Sequence, residues 1–256
     1  MFHLLYTTIL VQPLYNGLVA LSNILPGHDL GLATIILTLV VRCILYPLSK
    51  KAAETQLRMK QIEPKMKEIR EQIKDKQEQG VKIMALYKEH KLNPLSGILV
   101  LFIQLPIIFA LYWVFRAGVT AHPDLLYPFV QIPTFVSTKL LGLFDLAGKS
   151  IILAILAGLS QYFVMHVTMG KTASSPDKGR DGVGSNSSKN ENKKPTFGED
   201  FQKSMQFQMR YLLPPFIAFI AYGIGGAISL YWITSNLFQL GQELAIKKRL
   251  EAKSTG

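Results

Sequence analysis

The chain has one cysteine, Cys43, which excludes an intramolecular disulfide framework and a cysteine-rich metal site. Its five histidines (His3, His28, His90, His122 and His166) follow no HExxH or other ligand spacing, so no metal is expected. A GxSxG elbow, a glycine-rich phosphate loop and paired carboxylates are all missing, which argues against an enzyme and against a cofactor. No Lys or Arg precedes Arg42. Residues 1–25 therefore do not read as a Sec-type signal peptide, which needs a positive n-region and a small-x-small site where this chain has Leu25-Pro26-Gly27. Acidic residues are scarce in the long apolar runs: Asp29 and Asp145 stand near one boundary and Glu243 at the other.

What remains pulls in two directions. The 256 residues are 49% hydrophobic, with 28 Lys and Arg against 17 Asp and Glu, a net charge of +11. The mean hydropathy is +0.23. A basic balance suggests nucleic acid or an anionic membrane surface, and positive hydropathy suggests lipid. The placement of the cations decides, because they cluster in blocks separated by long uncharged runs. That excludes a soluble nucleic-acid binder and a disordered basic tail protein. It fits a polytopic membrane protein with basic cytoplasmic loops.

Segment by segment, residues 2–27 are uncharged up to His28, and Thr8, Gln12, Asn16 and Asn23 share one side of a helix. The segment is long enough to span a bilayer and amphipathic enough to lie at the outer interface, and the interface is favoured. Residues 30–49 read as the first span, followed at once by Lys50 and Lys51, which places that end inside. In the charged stretch 50–92, Ile62, Met66, Ile69 and Ile73 recur as a narrow seam. This predicts a cytoplasmic helical hairpin, broken at Gly80, with Tyr87 on its second arm. It is either a solvated structure or a docking arm for partners or lipid headgroups. Asn93-Pro94 suits a helix start, and 94–116 read as the second span. The proline-punctuated stretch 117–148 reads as an external loop and 149–168 as the third span. Residues 170–203 have the Ser/Gly/Asn/Lys composition of a disordered cytoplasmic linker. Tyr211 to Gln242 is uncharged, and its about 32 residues would make ~48 Å of helix, too long for one span. Gly223, Gly225 and Gly226 divide it into short spans at 205–223 and 226–246, with a basic cytoplasmic tail at 247–256. The expected fold is all-α, with five spans, the amino end outside and the carboxyl end in the cytoplasm.

Arg42 carries the chemistry. It lies eight residues before Lys50, ~12 Å into the membrane from the cytoplasmic boundary. A charge at that depth costs roughly 2.5–3.5 kcal/mol and marks a functional site by default, unless it snorkels past Tyr46 to the headgroups. With no acid inside the spans to pair it, it needs water or polar side chains. Thr38 lies one turn earlier. Gln104 and Tyr112 come from the second span, Gln161 from the third, and Trp232, Ser235, Asn236 and Gln239 from the fifth. Each alone is more often an interhelical hydrogen bond. Together they predict a wet cationic cavity open toward the cytoplasm.

These residues lie in TLVVRCILYPLSKKAAETQ (38–56), MALYKEHKLNPLSG (84–97), FIQLPIIFALYW (102–113) and SLYWITSNLFQLGQ (229–242). In that order, with a charged hairpin between the first two, they resemble the YidC/Oxa1/Alb3 family of membrane protein insertases. The resemblance implies a five-helix core with a hydrophilic groove closed to the outside and open to cytoplasm and lipid, and an amphipathic outer helix at residues 2–25. It places the groove arginine at Arg42, its polar neighbour at Thr38, the Gln-x-Pro glutamine at Gln104 and the last helix's aromatic at Trp232. Departures from the family pattern are the missing large periplasmic domain and lipobox cysteine, a longer 171–199 linker and a brief basic tail. The implied activity is ATP-independent insertion and chaperoning of membrane proteins in a bacterial plasma membrane. Nascent membrane proteins and the bilayer are the implied partners, the ribosome and Sec translocon are further candidates, and the core is monomeric. Two rivals stand beside it: a small-anion channel or transporter, and a non-catalytic assembly subunit.

Overall fold

The computed structural model describes residues 2–73, 75–93, 96–118, 122–169 and 208–254. The linker expected over 170–203 and the helix start expected at Pro94 lie outside the described residues. The fold is mostly helical. Helices α1 (Phe2–Tyr6) and α2 (Gln12–Ile24) are joined by a π turn, Thr7–Val11. Then follow α3 (Leu30–Ile44), α4 (Tyr46–Gln72), α5 (Lys76–Glu89), α6 (Ser96–Ala117) and α7 (Ile151–Met169). A second π turn, Gln208–Leu212, leads into α8 (Leu213–Ile224) and α9 (Gly226–Ser254). The stretch between α6 and α7 holds a two-residue antiparallel pair, β1 (Lys139–Leu140) and β2 (Phe144–Asp145).

Two boundaries differ from those the sequence suggests. The helix beginning at Leu30 ends at Ile44 instead of running on to residue 49, and α4 leaves it at a bend of 66°. Pro47 has no N–H to give to the Cys43 carbonyl, so the ladder breaks there and Pro47 sits in the first turn of the next helix. In the hairpin, α5 begins at Lys76, and Gly80 lies inside it. The Asp75 carboxylate accepts the Gln77 N–H at 2.9 Å and caps the helix, while the Gln79 amide donates to the Arg70 and Ile73 carbonyls at the end of α4. A glycine inside a helix costs about 1 kcal/mol, and a cap of this kind offsets it. The seam forms: Ile62 and Met66 are buried against Leu86 and Leu92, with Ile69 and Tyr87 packed beside them. Ile73 caps α4 beyond this cluster. Burial pushes the Tyr87 phenol above its usual pKa, and Arg70 partly offsets that.

The remaining helices share one apolar core, in which Tyr15, Leu18, Ala33, Ala110, Ala157 and Tyr231 are at most 2% exposed. Small residues bring the axes close. A Cβ on Gly158 of α7 would stand 2.8 Å from the Ala218 Cβ and 2.9 Å from the Pro214 carbonyl of α8. The polar side of α2 is turned to the chain between α6 and α7. Asn16 is buried, donating to the Gln12 and Leu125 carbonyls and accepting from the Tyr127 N–H, and Asn23 donates to the Gln131 carbonyl. Among the described residues, Leu4–Ile24 and Ile151–Thr168 are helices long and apolar enough to cross a membrane, and the bent pair α3–α4 makes a third if counted as one span.

One end of the core is held by the chain between α6 and α7. The Asp29 carboxylate accepts the Gly31 and Leu32 N–H groups at 2.7 and 3.0 Å, capping α3, and its other oxygen accepts the Leu141 N–H at 2.7 Å. Beyond β2, the carbonyls of Gly148 and Leu146 accept the Gly226 and Ala227 N–H groups, the first of α9. The Leu30 N–H donates to the Ser137 carbonyl at 3.0 Å, so this one stretch of chain accepts from the first residues of both α3 and α9.

Candidate functional site

Arg42 lies in the last turn of α3 and is 9% exposed. Among the described residues no carboxylate reaches ion-pairing distance of it. The group within electrostatic reach is the hydroxyl end of Tyr231 on α9, itself 2% exposed. The Gln104 amide of α6 donates to that hydroxyl. Ser235, one turn further along α9, is fully buried on the same face and beside Tyr231. Three helices therefore bring a guanidinium, a phenol, an amide and a hydroxyl to one place.

Thr38 is buried one turn from Arg42, but its hydroxyl donates to the Thr34 carbonyl at 2.6 Å, as Thr34 does to Leu30 at 2.7 Å. Both hydrogens are spent on the helix backbone, leaving oxygen lone pairs as what these side chains offer. Further along α9, Asn236 donates to Ser160 of α7 at 3.0 Å, beside the half-buried Gln161. Gln239 donates to Glu243 at 3.1 Å, Thr168 of α7 donates to the same carboxylate, and Gln242 pairs with Ser49 of α4. These contacts tie α9 to α7 and α4 in the way polar side chains join membrane helices. Trp232 is 8% exposed and packs in the apolar core. Tyr112 stands apart, two turns from Gln104 and so ~12 Å along α6. Its hydroxyl accepts from Arg116 at 2.5 Å, and it lines a cavity that none of the residues around Arg42 lines.

Tyr231 is not among the residues expected from the sequence, where its neighbour Trp232 is the aromatic of that motif. Spacing could have found it: residues 231 and 235 are one turn apart, so the face carrying Ser235 carries Tyr231 and turns Trp232 by about 100°.

Taken together, the helical core with apolar spans and a buried cation on its polar seam defines a helical membrane protein with an internal charged site. The chain belongs to the 60Kd inner membrane protein family, whose model matches residues 21–253. Membrane protein insertase YidC of Wolinella succinogenes is 34% identical over 226 residues, covering 87% of this chain and 34% of that protein. The protein of the same name from Clostridium tetani is 31% identical over 229 residues, covering 89% of this chain and 86% of the relative. This chain thus spans about a third of the first relative's length and most of the second's. A crystal structure of active YidC insertase with its first transmembrane domain resolved matches with a TM-score of 0.57 at 22% identity, over 92% of this chain and 45% of that one. That match supports the fold.

Proposed function

We propose that the chain is a membrane protein insertase and membrane chaperone. In this reading Arg42, with Thr38, Gln104, Tyr231 and Ser235, offers a polar foothold inside the membrane, and Gln161, Asn236 and Gln239 continue it toward the cytoplasm. The observation that carries the reading is Arg42: a buried guanidinium with amide and hydroxyl neighbours and, among the described residues, no carboxylate at ion-pairing distance. A hydrophilic tail crossing hydrocarbon loses the hydration of each charge. A polar seam shortens the dry path, and the guanidinium attracts carboxylates on the tail. Burial of the client's apolar helix in lipid then drives completion without ATP.

The five-span topology with the amino end outside belongs to this proposal. Residues 2–27 lie against the outer interface, the α4–α5 hairpin and basic tail are cytoplasmic, and 170–203 link two spans on the inside. The named relatives are insertases, which supports the same activity here. The test is insertion into proteoliposomes of a client with an acidic amino-terminal tail. Arg42→Ala should lose most of it, Arg42→Lys should keep much of it, and a client with a neutral tail should be less affected. Equal insertion by all three proteins with both clients would overturn the role. Anion flux in the absence of client would favour a channel instead.

A further inference from the structure

Tyr112 leads to a second polar place, away from Arg42. The end of α6, the loop around Thr138, and the break between α8 and α9 enclose a cavity of about 450 Å³, within the roughly 300–1,000 Å³ range of small-molecule sites. Its walls combine apolar side chains (Phe115, Ile224, Ile228) with polar ones (Tyr112, Arg116, Thr138). Arg116 is exposed and donates to the Tyr112 hydroxyl, with its guanidinium 5.8 Å from the ring centroid. Beside the rim, Lys149 follows Gly148, whose carbonyl holds the start of α9, and its ammonium lies 5.6 Å from the centroid of the Tyr222 ring. Among the described residues neither cation makes an ion pair. The nearby Asp145 carboxylate accepts the Ala147 N–H at 3.0 Å.

The fold brings lipid headgroups to this place. Helix α8 has 12 residues and stops at Gly225, whose φ of +133° ends the helix. The uncharged run from Tyr211 to Ile224 makes ~21 Å of helix at 1.5 Å per residue, against a ~30 Å hydrocarbon core. A short span draws the headgroup level toward its ends, and this end opens on the cavity. The two cation–tyrosine pairs fit that level, where aromatic and basic side chains anchor a membrane protein.

We infer that this cavity is a phospholipid site: Arg116 takes the phosphate of one lipid, Lys149 adds a second positive charge at the rim, and the start of an acyl chain lies on Phe115, Ile224 and Ile228. A guanidinium suits the phosphate because its planar fork gives two parallel charge-assisted hydrogen bonds. With two cations against one carboxylate, anionic lipids are preferred over zwitterionic ones. The site is separate from Arg42, and its test needs no insertion assay.

The test is native mass spectrometry of the full chain released from maltoside micelles containing phosphatidylglycerol, phosphatidylcholine, diacylglycerol or inorganic phosphate. One phosphatidylglycerol should be retained in preference to the others, with diacylglycerol, which lacks the phosphate, at least tenfold weaker. Arg116→Gln should weaken that retention about tenfold and Arg116→Lys less, while Arg42→Gln leaves it unchanged. Arg116 is exposed, so the substitution should fold, and Ile224→Trp, at a half-buried position of the cavity wall, gives a second and independent loss. Equal retention by Arg116→Gln, or equal retention of diacylglycerol, overturns the site. Inorganic phosphate binding as tightly as the lipid overturns the lipid assignment.

Discussion

Two arginines on different helices of one core make opposite uses of one charge. Arg42 is buried at the end of α3 among side chains from three helices, with no carboxylate at ion-pairing distance among the described residues. Arg116 is exposed at the end of α6, seated on one tyrosine at the rim of a cavity. Their surroundings differ in kind as well. The contacts that join helices around Arg42 are between side chains, as from Gln104 to Tyr231, and these can exchange partners for a client's groups at little backbone cost. At the other end the helices are held by backbone bonds: the Asp29 carboxylate on three N–H groups and the Gly148 and Leu146 carbonyls on α9. In the orientation proposed above these are the inner and the outer end, and an insertase so built would be adaptable at the first and rigid at the second.

The sharpest way to break that contrast is to separate function from stability at Arg42. Removing an unpaired buried charge removes its desolvation cost, so Arg42→Ala should unfold at the same temperature as the parent or higher. Insertion of the acidic-tailed client should nevertheless fall roughly tenfold or more. A carboxylate about 10 Å from the guanidinium, at an effective dielectric of about 20, gains about 1.7 kcal/mol. Thermal melts and insertion assays on the same preparations check both halves. A large loss of stability would make Arg42 a structural residue and dissolve the contrast.

At the outer end the signs should reverse. A Cβ on Gly226 would meet the Asp145 carbonyl at 2.9 Å and the Leu146 Cα at 3.0 Å, backbone atoms that cannot step aside cheaply. Gly226→Val should therefore cost about 2–3 kcal/mol, the upper range for overpacking, seen as a lower melting temperature in detergent. A parent-like melt would mean that the loop does not hold α9. Asp29→Ala comes next, at about 2 kcal/mol, since it loses a helix cap and leaves the Leu141 N–H without its acceptor. Asp29→Asn should cost about half as much, because the amide oxygen still caps α3 while the NH₂ cannot accept from Leu141. Equal melts for the two variants would show that the Leu141 bond contributes nothing.

Much of the inner end could be read from residue order, and little of the outer end could. The apolar runs, the depth of Arg42 and the helical spacing of Ser235 and Gln239 are local patterns, and a helix converts local spacing directly into a shared face. Tyr231 is silent for a related reason: a tyrosine in an apolar run looks like core until Gln104 from another helix is placed on its hydroxyl. The outer loop depends on long-range backbone bonds, Asp29 to Leu141 and Gly148 to Gly226, which leave no periodic trace. Asn16 and Asn23 marked a polar helix face, and nothing in their spacing distinguished a face turned to water from one turned to a loop. The bend at Leu45 and the cap at Asp75 carried the ordinary signals of Pro47 and a capping acid, but each competed with a stronger expectation, an apolar run and a glycine break.

The hairpin gives the smallest effect and the finest test of where rigidity lies. Its two arms meet through one narrow cluster around Ile62, Met66 and Leu86, and the surface ion pairs Lys67–Glu71 and Lys82–Glu78 are exposed and worth little. That seam is separate from the helical core, so the hairpin should open locally without unfolding the rest. Met66→Ala should raise backbone hydrogen exchange across residues 59–92 by at least tenfold, since truncating a buried Met commonly costs about 2 kcal/mol or more. Exchange in α3 and α9, and the melting temperature of the core, should stay as in the parent. If Met66→Ala also loosened α9, the hairpin would be coupled to the polar seam through Ser49 and Gln242, the contact that joins α4 to α9. The inner end would then be a lever and not merely an adaptable surface.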